Sequence, residues 1–152
     1  TEEGTWAAIM NIRSNVNEKR NYFGDKKGKG GWPMCGEIHI KGQTRWEKNG
    51  LKAHLHLGHT ETKEYIDEGE SIEIPNSYDD FHIYSLEWTP NEIIFLFDNE
   101  PFYTVPNDEK RPYDNPHYLL LNLAMGGTLG GQVPNDFKDA TMEIDYVRIS
   151  KL

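Results

Sequence analysis

Short runs in which apolar and polar residues alternate dominate the chain. Ile38 and Ile40 alternate with Glu37, His39 and Lys41, and Leu51, Ala53, Leu55 and Leu57 alternate with Lys52, His54 and His56. Ile72 and Ile74 flank Glu73. Further runs span 81–88, 92–97, 117–124 and 141–149. Each is of strand length and rich in β-branched or aromatic residues. Turn residues separate them: Trp32-Pro33, Asp98-Asn99-Glu100-Pro101, Asp114-Asn115-Pro116 and the glycines from Gly126 to Gly131. No amphipathic helix of three turns is visible. The pattern predicts an all-β chain, an antiparallel sandwich or jelly roll. The polar, Gly-rich stretch 13–31 reads as a long loop. At 152 residues the chain is one domain's worth, taken as 1–152.

Charge removes several function classes. The net charge of −9 argues against nucleic acid as a partner, which calls for a basic face. The one basic run, Lys26-Lys27-Gly28-Lys29, reads as a solvated loop. No apolar run reaches the ~20 residues of a membrane-spanning helix, and no signal-like segment is visible in this chain. The single cysteine, Cys35, supports neither an internal disulfide nor a Cys-based zinc site.

Candidate chemistry concentrates on residues 32–41. Period-two alternation places Glu37, His39 and Lys41 on one strand face, with Ile38 and Ile40 on the other. Ionisable groups in a row suit an active-site cleft, and they equally suit a solvent-facing strand. His54, His56 and His59 have a spacing compatible with a metal site. No carboxylate or Cys at ligand spacing accompanies them, so no metal is assigned.

Five blocks, in order, resemble glycoside hydrolase family 16, its laminarinase-like branch. They are Gly4-Thr5-Trp6-Ala7-Ala8-Ile9, Gly31 to Ile38, Asp80 to Pro90, Pro112 to Gly127, and Met142 to Arg148. The resemblance implies a concanavalin-like β-jelly-roll sandwich and a retaining endo-β-glucanase acting on β-1,3-linked glucan. It also implies secretion, because polysaccharides are extracellular. The family's catalytic strand reads Glu, apolar, Asp, apolar, any residue, Glu. Retention needs two carboxyl groups about 5–5.5 Å apart. Here the nucleophile position is Glu37, the Asp position is His39, and the acid/base position is Gly42. A family variant without a bulge places the acid/base at Lys41. Neither alignment supplies a second carboxylate, so the resemblance implies an impaired hydrolase, with a non-catalytic β-glucan-binding module or a decayed fragment as the alternatives.

The same resemblance suggests sugar-binding roles for Trp32, His56, Asn122 and Lys41, with His39 a makeshift acid beside Glu37. Glu47 falls in a turn-like stretch and receives no catalytic role. Met10 and Leu129 stand where the family has aromatics, which removes two stacking faces. The family domain is longer, and its first strands, which pair with the segment matched by Met142 to Ile149, have no counterpart in this chain. A longer protein, a second chain, or a reduced domain with a rearranged edge would each account for this. A family-type structural calcium would need those first strands together with Asp145, so no cofactor is assigned.

Overall fold

The computed structural model describes residues 3–14, 32–33, 35–44, 47, 49–58 and 64–151. Most of the predicted loop at 13–31, together with His59, lies outside the described residues. The strands are β1 (Thr5–Arg13), β2 (Glu37–Gln43), β3 (Gly50–Gly58), β4 (Tyr65–Glu73), β5 (Tyr84–Trp88), β6 (Glu92–Phe97), β7 (Glu100–Pro106) and β8 (His117–Met125). One helical turn, α1 (Gly127–Gly130), follows β8. Two antiparallel sheets form, one of five strands in the order β4-β3-β2-β1-β8 and one of three in the order β5-β6-β7. The chain is an all-β jelly-roll sandwich, as the alternation predicts.

The two sheets meet through their apolar faces. Ile38 and Ile40 of β2 and Ala53, Leu55 and Leu57 of β3 pack with Ile93, Phe95 and Val105 of the second sheet and with Tyr113. Burying such side chains stabilises by roughly 1.5–3 kcal/mol each. The Tyr113 hydroxyl donates to the His56 carbonyl at 3.2 Å. The core thus fixes the β2–β3 pair from beneath, and on the opposite face the polar groups gather over β2, β3 and β4, while Ala8, Met10 and Ile12 of β1 make that face apolar farther along.

Several elements differ from the sequence reading. β7 and most of β4 carry prolines, or a Glu/Gly/Ser run, that mask their alternation. A two-residue turn, Asp98 and Asn99, both at positive φ (49° and 70°), joins β6 to β7. That is the hairpin geometry Asx residues favour. The predicted strand at 141–149 is not one: the segment has no ladder partners among the described residues, and Ile149 is 86% exposed. Alternation specifies a strand only if a neighbouring strand supplies hydrogen bonds, and among the described residues none does.

A bulge in β2 changes which side chains reach the outer face. β2 pairs His39 with His54 and then Gly42 with Lys52, and its register with β1 also slips, from Met10↔His39 to Ile9↔Lys41. One extra residue reverses the facing of every residue beyond it. Lys41 therefore points into the sandwich rather than beside Glu37 and His39. Its Nζ donates to Gln43 Oε1 at 3.3 Å and lies 5.8 Å from the Tyr84 ring centroid. The assignment of Lys41 to the substrate-binding face is thereby corrected.

Candidate active site

The outer face of the five-stranded sheet gathers ionisable side chains across three strands. In register, Glu37 of β2 lies opposite His56 of β3, which lies opposite Asp67 of β4. The next row is His39, His54 and Gly69. Trp32 and Tyr65 border the cluster. The Trp32 ring meets the His56 ring edge-on at 5.5 Å and the Tyr65 ring at 6.3 Å. At 53% exposure Trp32 is a surface aromatic, not a core residue.

Both oxygens of Glu37 are held. Trp32 Nε1 donates to Oε2 at 2.7 Å, and His39 Nδ1 donates to Oε1 at 3.2 Å. Burial raises the carboxyl pKa. The bond and charge of His39, the charge of His56 and the Trp32 N–H together outweigh it, and the group sits below its ordinary value. Glu37 is thus kept ionised in a half-dry setting, the state a carboxylate nucleophile needs. The neighbouring His56 is pushed toward its neutral form, chiefly by burial, with His54 adding to that effect and Glu37 opposing it.

The imidazole of His39 fills the space beside Gly42. A Cβ built on Gly42 would lie 2.7 Å from His39 Nε2, closer than side chains tolerate. A side chain at position 42 would therefore require the His39 ring to move from this position. That same Nε2 is buried and has no hydrogen-bond partner among the described residues. Glu47 sits in a turn, its carbonyl accepting from Gly50 N at 2.9 Å.

Asn122, on β8, pairs with Ala8, which pairs with Gly42. It is therefore two strands from β2, in the row at Gly42. Met10 is buried in β1, opposite His39 and Leu120, and Leu129 lies in α1.

Sequence reasoning misses Tyr65 and Asp67. Asp67 Oδ1 accepts from His54 Nε2 and lies 3.4 Å from His56 Nδ1, and Tyr65 Oη lies 2.7 Å from that same Nδ1. Their signal is the period-two spacing of Tyr65, Asp67 and Gly69, obscured by the acidic residues Glu68 and Glu70 beside them. Asp145 is exposed and joins no group of three metal-ligating side chains among the described residues.

Known proteins place this geometry in a family. The sequence profile of "Glycosyl hydrolases family 16" matches residues 22–148. A "Beta-glucanase" of Rhodothermus marinus is 33% identical over 162 residues, covering 96% of this chain and 52% of that protein. LamAcat from Zobellia galactanivorans superposes with a TM-score of 0.77 at 44% identity, covering 90% of this chain and 55% of that one. A substituted LamA from the same organism, in complex with laminaritriose and laminaritetraose, gives the same TM-score at 43% identity, with the same coverage. The chain spans about half the length of each of these relatives. With the profile matching most of the chain and a sandwich whose outer face carries Glu37 on its central strand, this chain belongs to the glycosyl hydrolases of family 16.

Proposed function

We propose that the outer face of the five-stranded sheet holds β-1,3-glucan, and that the chain cleaves it poorly because Glu37 acts without a carboxylic acid partner. Trp32 offers a stacking face for a sugar ring, and His56 and Asn122 offer hydrogen bonds to hydroxyls. A laminarin-type ligand is suggested by the laminaritriose and laminaritetraose bound to the related LamA.

One observation carries the proposal: Glu37 is held and ionised, while the acid/base position is a glycine occupied by the His39 ring. A retaining glycosidase attacks the anomeric carbon with one carboxylate while a second carboxylic acid protonates the departing oxygen. Glu37 has the first role. The proton on His39 Nδ1 is directed at Glu37 itself, and Nε2 is buried. His39 therefore serves as a poor acid in this arrangement. Asp67 is two strands away, about 10 Å from β2 at the ordinary strand spacing, and it is engaged by His54. Lack of a general acid typically costs about 10²–10⁴-fold in rate, and natural glucans, whose leaving groups need a proton, suffer the full loss.

Affinity electrophoresis through a laminarin-containing gel tests the binding half. The chain is expected to be retarded, and Trp32→Ala to lose most of the retardation. Unchanged mobility of the wild-type chain, or retardation indifferent to Trp32, would remove glucan from this face.

A further inference from the structure

We propose that His54, His56 and Asp67 form a binding site for a transition-metal dication of the zinc class, with one coordination position open to solvent. The inference does not rest on the glucan reading. Three donor atoms on two adjacent strands, His54 Nε2, His56 Nδ1 and Asp67 Oδ1, lie within 4.8 Å of one another. A tetrahedral zinc site with ligands at about 2.0–2.1 Å has edges of about 3.3 Å. The His56–Asp67 separation of 3.4 Å already matches such an edge. The His54–Asp67 pair is in direct hydrogen-bond contact and must part to admit the ion, the shared proton leaving to solvent.

The strand geometry holds these donors in place. His54 and His56 are two residues apart on β3 and so share a face, with ring centroids 4.7 Å apart. Asp67 sits directly across the ladder from His56. Across from His54 stands Gly69, and a Cβ there would overlap His54 Nδ1 and the Ala53 carbonyl. The glycine leaves room for the ring to lie along the sheet and turn Nε2 toward Asp67. Both histidine side chains are largely buried, whereas Asp67 is half exposed. An ion would therefore be wrapped on the β3 side and open on the other. Tyr65 Oη, now 2.7 Å from His56 Nδ1, is placed to bond a water in that open position. Two imidazoles and one carboxylate select zinc, copper, nickel or cobalt over calcium and magnesium, which prefer oxygen ligands throughout.

Titration calorimetry of the chain with zinc chloride, in a buffer that does not bind metal, tests the proposal. One ion per chain is expected to bind, with affinity reduced at least tenfold in both His54→Gln and Asp67→Asn. His82→Gln, which alters the separate His82–Asp98 pair, should bind as the wild type does. Cobalt substitution gives a readout independent of the variants' folding: the wild-type chain should show the intense visible absorption of four-coordinate cobalt. Absence of zinc binding, binding indifferent to His54 and Asp67, or a weak octahedral cobalt spectrum would each overturn the site.

Discussion

Lys41 is the residue whose placement separates the bulged strand from a regular one, and substituting it has a worked consequence. It is 9% exposed and makes no ion pair among the described residues. Burial lowers its pKa from 10.5 to about 8. At about 1.4 kcal/mol per pH unit, carrying the charged form into the sandwich at pH 7 costs about 3 kcal/mol. Lys41→Met keeps an unbranched chain that fills the same space. It forfeits the bond to Gln43 and the attraction of the Tyr84 ring, about 1 kcal/mol each. The net expectation is a gain of about 1 kcal/mol at pH 7, roughly 2–4 °C in melting midpoint for a domain of this size. The sign with pH comes from linkage. Between about pH 8 and 10.5 the unfolded chain holds a proton that the folded one has released, so the wild type gains stability as pH rises. The advantage of Lys41→Met is therefore full below pH 8 and shrinks through that window. Urea denaturation of both proteins at pH 7 and pH 10 measures it, with laminarin retardation unchanged. A variant that is destabilised at pH 7, or that loses glucan retention, would place Lys41 on the outer face and refute the bulge.

His117 gains its proton only well below the ordinary imidazole range. Burial holds its pKa down to about 4, against the help of its bond to the Asn115 carbonyl, so its contribution is complete above pH 6.5 and is lost as pH falls toward 4. The loss is up to about 3 kcal/mol, and denaturation curves across that range should flatten in His117→Phe. Restoring the family pattern by His39→Asp together with Gly42→Glu should raise laminarin hydrolysis at least about 100-fold in a reducing-end assay. Gly42→Glu alone should displace the His39 ring, because its Cβ meets that ring at 2.7 Å, and should therefore recover less activity than the double variant.

Where one face of a strand is buried, the sequence is easily read. Ile38 and Ile40, the leucines of β3, and Ile93 and Phe95 of β6 give away the core because alternation and burial coincide there. The family pattern allows β2 to be bulged, with Gly42 on the outer face, or regular, with Lys41 there; the residues leave both open, since an extra residue keeps the apolar pattern through Ile40 intact and alters only the facing of the residues beyond it. β4 escapes because it is an edge strand, and Glu68 and Glu70 on its inner side blur the alternation. Glu68 is satisfied there by Arg111 from a distant loop, a pairing no local pattern reveals. With β4 unread, Asp67 cannot be placed beside the histidines. The segment 141–149 shows the reverse case: strong alternation with no strand beside it among the described residues. For the site, Glu37, His39 and His56 are legible from their spacing and from the family pattern, and Trp32 falls beside them. The occlusion of Gly42 by the His39 ring is a packing fact that sequence order does not encode.

Turnover of an activated aryl β-glucoside, with and without azide, tests the central claim most directly. Such a leaving group needs no proton, so Glu37 should form the glycosyl-enzyme unaided. Azide should then intercept that intermediate and accelerate turnover at least tenfold, releasing a glycosyl azide of retained β configuration, and Glu37→Ala should show neither reaction. Turnover untouched by Glu37→Ala, or a wild-type chain that binds laminarin yet neither cleaves the aryl glucoside nor responds to azide, would contradict a competent nucleophile lacking its acid.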